Sequence, residues 1–306
     1  MQIGIFYFLG SDEMKVGFIG AGKVGTAFGL YLQAKGHDIV GYLSKTYQSA
    51  VASAEMTKSF AYKDYSTLMS ACDLVFITTP DTYIEKVVMA LLELRERPCA
   101  VAHMSGALTT KILEPLGCEV ALVTLHPLLA FASIEKARQD LETCTFAVEG
   151  NQAGITIAKE LLLSCSNQVI TLKKEQKAMY HGTACVTANY MMVITALAEQ
   201  MIASFDYEQE LGLLAYRHLM IGAIENAIEF GSASALTGPI VRGDVQTIET
   251  HLESMKKKSM KKAYSTLGMM TLALATEDKL SDPVLSDGLR RLFSQVLEEE
   301  ECKNEK

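Results

Sequence analysis

From residue 15 to about 172, short apolar runs alternate with segments in which apolar residues recur every three or four positions. The runs read as buried strands, and the helical period reads as helices packed against them. Strands are expected at Val16–Ile19, Asp38–Leu43, Leu74–Thr78, Ala100–His103, Val120–Leu125, Thr145–Val148 and Gln168–Leu172. Helical patterns lie between them at Val24–Lys35, Tyr47–Ala54, Tyr65–Ala71, Thr82–Leu94, Thr110–Leu116 and Gln152–Cys165. Alternation of this kind specifies a doubly wound, mostly parallel α/β sheet covered by helices on both faces. After Lys173 the strand pattern stops, and helical segments follow at about 175–205, 208–231, 244–276 and 282–300. We therefore expect an α/β domain over 14–172 and an all-helical domain over 173–306.

Two apolar stretches resemble membrane signals. Ile3–Leu9 is too short to span and has neither a basic flank nor a cleavage site. Met14 directly precedes the first strand, so residues 1–13 read as an upstream extension. Ala178–Ala198 carries no charged residue but contains His181, Asn189 and several threonines, which favours a buried central helix over a span.

Directly behind the first strand, Gly20-Ala21-Gly22-Lys23-Val24-Gly25 places three glycines in G-x-G-x-x-G spacing at the start of a helical pattern. Gly20 permits the tight turn, Gly22 lets backbone approach a pyrophosphate, and Gly25 allows close helix–strand packing. The free N–H groups and partial positive charge of the helix start favour an anion. This is a Rossmann dinucleotide unit. The acidic residue that would bind a ribose 2′-hydroxyl is missing after the second strand. Ser44-Lys45-Thr46 stands there instead, two hydroxyls around a cation, which suits a 2′-phosphate and hence NADP. Thr79 and Pro80 follow the strand at 74–78 and face the same ligand edge, with Asp81 expected to cap the next helix.

The composition, 49% hydrophobic and 21% charged, is that of a globular enzyme, and a net charge of −8 argues against nucleic-acid binding. Lys256, Lys257, Lys258, Lys261 and Lys262 read as a solvated helix face. The seven cysteines lack C-x-x-C pairs and the six histidines lack ligand spacing. These patterns imply a reduced, cytoplasmic protein without a metal site.

Together these motifs resemble the Rossmann domain of pyrroline-5-carboxylate reductases. With His103-Met104-Ser105-Gly106, His126-Pro127-Leu128, Tyr180-His181 through Asn189-Tyr190, and Leu236 through Asp244, the chain from residue 14 onward resembles a family of oxidoreductases with a C-terminal helical domain of unknown function. The resemblance implies NADP binding, a homodimer through the helical domain and redox chemistry on a small carboxylate carrying a carbonyl, imine or hydroxyl. His126, ending a strand before Pro127, is the candidate proton carrier, and the pair is similar to the His-Pro of prephenate dehydrogenases. Ser105 is a candidate cofactor contact, and His103 a loop-shaping or cofactor-contact residue. His181, Cys185 and Asn189 are spaced four apart on one helix face. Hydroxyacid dehydrogenases carry a lysine four residues before such an asparagine, and here that position is Cys185. Asn189 could orient the reacting group and His181 act as acid. The loop with Thr237, Gly238, Arg242 and Asp244 is similar in position to the carboxylate-holding loop of pyrroline-5-carboxylate reductases. Two alternatives stay open: a prephenate-like or hydroxyacid dehydrogenase, and a non-catalytic NADP(H) sensor.

Overall fold

A computed structural model describes residues 14–94, 100–204 and 212–304. The extension at 1–13, Cys99, the start of the 208–231 helical pattern and the last two residues lie outside them. The chain divides into two compact units, Met1–Ala188 and Asn189–Lys306.

The first unit is built on an eight-stranded sheet: β1 (Lys15–Ile19), β2 (Asp38–Leu43), β3 (Phe60–Tyr62), β4 (Leu74–Ile77), β5 (Ala100–His103), β6 (Ala121–Pro127), β7 (Thr145–Gly150) and β8 (Gln168–Thr171). Their order is β3-β2-β1-β4-β5-β6-β7-β8. All neighbours run parallel except β6 and β7, which pair antiparallel with Val123 opposite Gly150. The doubly wound α/β architecture read from the sequence is present. The strand order reverses between β1 and β4, which opens the crevice where such sheets hold ligands.

Alternation along the central strands divides the core between the two faces. Val16, Phe18, Leu74, Phe76, Ala102 and Val123 face one side and pack with Phe28 and Tyr31 of α1 (Lys23–Ala34) and Leu161 of α6 (Gln152–Ser164). Ile19, Val75, Ile77, Val101 and Leu122 face the other side, against Leu68 of α3 (Tyr65–Ala71) and Ile84, Val88 and Leu91 of α4 (Asp81–Leu92). Phe18 stacks on Tyr42 at 5.0 Å and on Phe76 at 5.6 Å, so an aromatic layer underlies the glycine turn.

Local departures from the sequence pattern have physical causes. β3 spans three residues, too few to show a period, and exists through its pairing with β2. The segment expected as a helix at 110–116 forms two 3₁₀ turns, Thr110–Ile112 and Glu114–Leu116, where Pro115 removes a backbone donor. α2 (Tyr47–Met56), α5 (Ile134–Asp140) and α7 (Lys177–Ala184) complete the first unit.

In the second unit α8 (Met191–Ile202), α9 (Arg217–Phe230), α10 (Ser232–Ala235), α11 (Val245–Ser254), α12 (Lys258–Asp278) and α13 (Pro283–Asn304) follow. The single helix expected at 244–276 is broken by extended backbone at Met255 and Lys257. Ile248, Leu252, Leu272, Ala275, Leu289 and Phe293 form this unit's own core.

The expectation of a buried central helix is overturned. The stretch Lys174–Ile202 is continuous helix, long and apolar enough to cross a membrane by length and composition, yet none of its most apolar window is buried. An apolar helix can be buried by its own chain or left for another surface to cover, and periodicity does not distinguish the two.

Candidate functional site

The glycine turn closes the C-terminal end of β1. Gly20 adopts φ +116°, and a Cβ there would meet the Thr78 and Thr79 backbone at 2.7–2.8 Å. Its amide donates to Leu43 O, and Thr78 Oγ1 donates to Gly20 O at 2.7 Å, stitching the turn to β2 and β4. A Cβ on Gly25 would lie 2.5 Å from Gly20 O and from Thr78 Oγ1, so helix and strand approach more closely than any side chain permits. Gly22 faces open space. It is the N-cap of α1, with no side-chain cap and no acidic residue in the first turn. The first amides of α1 are therefore left for an anion. The Thr79 hydroxyl is buried at the same crevice without a hydrogen-bond partner among the described residues, an orphan that a ligand would satisfy. These features fit a dinucleotide pyrophosphate.

Ala21 and Val24 pack partly buried against the core, while the Lys23 ammonium donates to Ala132 O at 2.8 Å. Ser44, Lys45 and Thr46 follow β2 on the surface side of the same edge. Thr46 pairs with Ser49 at 2.6 Å, and Lys45 lies 5.6 Å from the centre of the Tyr83 ring. Asp81 does not cap α4. Pro80 holds that position, and the Asp81 carboxylate instead accepts the Ser105 hydroxyl at 2.7 Å. Ser105 Oγ also accepts the amides of Ala107 and Leu108, and the Ser105 amide donates to His103 Nδ1. Ser105 and His103 are thus occupied in folding their own loop.

This loop delivers Gly106 to the meeting point of two imidazoles. A Cβ on Gly106 would lie 2.8 Å from His126 Nε2 and 2.8 Å from His181 Nδ1. Only a glycine leaves that space open. His126, on β6, pairs through Nδ1 with Tyr180 Oη at 2.6 Å, with the rings edge to face. His181, on α7, contacts Cys185 Sγ through Nε2 at 3.7 Å, while its Nδ1 is buried and unpartnered among the described residues. Burial pushes the Tyr180 hydroxyl up to about 12. Burial first, then the Lys177 ammonium and His181, hold His126 down to about 4, so its ring is neutral at physiological pH.

Lys177 was not singled out by the sequence. It is 1% exposed, and its ammonium donates to Thr124 Oγ1 at 2.7 Å and Ser105 O at 3.1 Å. Burial lowers it to about 8 against the pull of Glu149 and Asp81. No local signal marks it: the lysine that the hydroxyacid dehydrogenase resemblance would place four residues before Asn189 falls on Cys185, and Lys177 lies twelve residues before that asparagine.

Asn189 opens the second unit and is exposed, within the π-helical turn Cys185–Tyr190. That turn ends the straight α-helical phase, so four-residue spacing no longer maps one face beyond Cys185. Thr237, Gly238, Arg242 and Asp244 also belong to the second unit. Asp244 caps α11, its carboxylate accepting the Thr247 amide at 3.0 Å and the Thr247 hydroxyl at 2.7 Å. Gly238 and Gly243 turn the loop at φ +106° and +68°. Among the described residues no group of three or more His, Cys, Asp or Glu side chains has metal-binding geometry.

Residues 9–127 match the Rossmann-like domain family, and residues 144–271 match a domain of unknown function, DUF2520. No curated protein matches the chain. Among solved structures, a Bacteroides fragilis protein provisionally designated an NADP oxidoreductase is 19% identical at a TM-score of 0.65, over 94% of this chain and 99% of its own. A Thermotoga maritima protein is 23% identical at 0.60, over 94% and 99%. A Plasmodium falciparum pyrroline carboxylate reductase, solved with NADP bound, is 15% identical at 0.55, over 88% and 98%. At these identities the likeness is one of fold. The chain joins a Rossmann-like domain to a C-terminal DUF2520 domain, on a fold it shares with NADP oxidoreductases that include a pyrroline carboxylate reductase.

Proposed function

We propose that the protein is an NADP(H)-dependent oxidoreductase acting on a small carboxylate that carries a carbonyl, imine or hydroxyl. The observation that carries this reading is the convergence of His126 Nε2 and His181 Nδ1 over Gly106. That point lies beyond the C-terminal ends of β5 and β6, the same sheet edge as the glycine turn after β1.

In this reading the amides opening α1 hold the pyrophosphate, the Thr79 hydroxyl gains a partner, and Ser44, Lys45 and Thr46 receive the 2′-phosphate. When bound, the nicotinamide supplies or takes the hydride. The chain's own work is to place the reacting carbon and manage the proton. With Tyr180 donating to Nδ1, the neutral His126 ring keeps its proton on Nε2 and donates a hydrogen bond from it to the oxygen or nitrogen being reduced, whose proton is then supplied from solvent. His181 Nδ1 presents a second polar contact to the same group. In the second unit, Asn189, Thr237, Gly238, Arg242 and Asp244 stay candidate substrate contacts, Arg242 being suited to a carboxylate. A cytoplasmic homodimer is part of the proposal. Exposed apolar side chains on α8 and α9, such as Val193, Leu219 and Ile228, are the surface a second copy would cover.

A hydroxyacid dehydrogenase reading gains a buried lysine near His126, though not at the position four residues before Asn189. Lys177 is nevertheless buried and donates to Ser105 and Thr124, so an acid role would require those bonds to open. Fluorescence titration with NADPH and NADH, followed by a screen of small keto, imino and hydroxy acids, tests the proposal. Binding without turnover would favour the sensor; absence of binding would overturn both readings.

A further inference from the structure

We propose that the helical unit carries a second small-molecule site, for a compact amphipathic carboxylate. A cavity of about 680 Å³ lies entirely within residues of this unit, between the end of α8, the loop at 237–240, α11 and α12. Its size is that of a pocket for a drug-sized ligand. Ile240, Ile248, Met255 and Met260 supply apolar wall. At one side His251 Nδ1 and Tyr264 Oη form a 2.8 Å hydrogen bond with their rings edge to face, a rigid polar pair beside that apolar wall.

Charge decides the ligand class. Lys256 and Lys257 line the cavity, and no Asp or Glu does among the described residues. The first turn of the 21-residue α12 starts beside them without a side-chain cap, with Lys257 as its N-cap. Two full positive charges and that partial charge outweigh the carbonyl end of the shorter α11. An apolar body with one carboxylate satisfies both the walls and the rim, whereas an amine would meet like charge. The site goes beyond the nucleotide reading, since no residue of the glycine edge contributes to it. Thr237, Pro239 and Ile240 of the loop line it, while Asp244 is engaged in capping α11.

The test is calorimetric titration of the full chain with 4-phenylbutyrate and its isosteric alcohol and amine, with and without saturating NADPH. The expected result is one carboxylate per chain with a dissociation constant on the order of 0.1 mM, and the alcohol and amine about tenfold weaker. In the double variant Lys256→Gln, Lys257→Gln the carboxylate falls to the level of the alcohol, which itself is unchanged. Ser254→Trp, at an exposed wall position outside the proposed substrate residues, abolishes binding of all three while circular dichroism stays native. Equal affinity for the three compounds, insensitivity to both variants, or displacement by NADPH would each overturn the proposal.

Discussion

The Tyr180 hydroxyl sits 2.6 Å from His126 Nδ1, and burial keeps that phenol protonated up to about 12. The tyrosine can therefore donate to Nδ1 over the whole working pH range, and the proposed reading, in which it does so, places the imidazole proton on Nε2. Nitrogen-15 spectra of the free protein at pH 7 should show His126 as the neutral Nε2–H tautomer. Tyr180→Phe should release that preference and lower turnover by about tenfold, while NADPH affinity stays unchanged. Loss of His126 itself should cost on the order of a hundredfold in kcat, again without weakening NADPH. Weakened NADPH binding in either variant would make the pair structural.

Lys177 sets the electrostatics behind that pair. Its ammonium is one of the causes holding His126 and His103 low. Replacing it with methionine should raise the titration midpoint of His126, read from its imidazole carbon protons. An unchanged midpoint would show that the lysine acts only through its two hydrogen bonds.

Acid stability follows from the buried imidazoles. His103 is 0% exposed and held at about 4, chiefly by burial and then by Lys177. In the unfolded chain a histidine titrates at about 6.5, so the unfolded state takes up the proton first. The stabilisation is complete above about pH 6.5 and is lost as the pH falls toward 4, by roughly 3 kcal/mol per histidine at most. Urea midpoints should drop across this window. His103→Asn, which retains an acceptor for the Ser105 amide, should flatten part of the slope.

The glycine turn makes a sharper prediction about binding. Gly25→Ala forces a Cβ to within 2.5 Å of Gly20 O and Thr78 Oγ1, so helix α1 must lift from β1 and β4. Roughly 2–4 kcal/mol of stability and most nucleotide affinity should be lost together, measured by thermal melting and NADPH fluorescence. Lys45→Ala should leave stability intact and reduce only the preference for NADPH over NADH, by about tenfold. Equal binding of the two nucleotides by the unmodified chain would make Ser44–Thr46 an ordinary surface turn.

Assembly is testable without any ligand. Ile228 is 81% and Leu219 71% exposed in the single chain. Light scattering should report a dimer for the native protein and a monomer for Leu219→Lys, Ile228→Lys. A native monomer would leave these side chains without a covering partner.

The sheet was legible because its strands are apolar runs between amphipathic helices, and because Gly20 and Gly25 each meet a steric demand that only glycine satisfies. His126 could be picked out by its place before Pro127. Lys177 could not, since a lysine in a helical stretch usually marks a solvated face and its burial depends on Thr124 and Ser105, distant in sequence. Gly106 looked like part of a turn, and its use as a gap between two imidazoles is set by β6 and α7 together. Asp81 was misread for the same reason: the carboxylate had a local role available and took a distant partner, Ser105. Local rules locate elements and turns, and they are silent on which side chains from separate elements share a buried space.

The hydrogen bond from Lys23 to Ala132 O joins two loops at the same sheet edge. Lys23 opens α1, one residue after Gly22, and Ala132 lies in the loop that follows His126 and Pro127. One ammonium thus tethers the glycine turn to the chain leaving His126. A phosphate that draws this ammonium toward itself must release the Ala132 carbonyl and slacken that loop. Removing the Lys23 ammonium would free the loop after His126 even with the glycine turn empty.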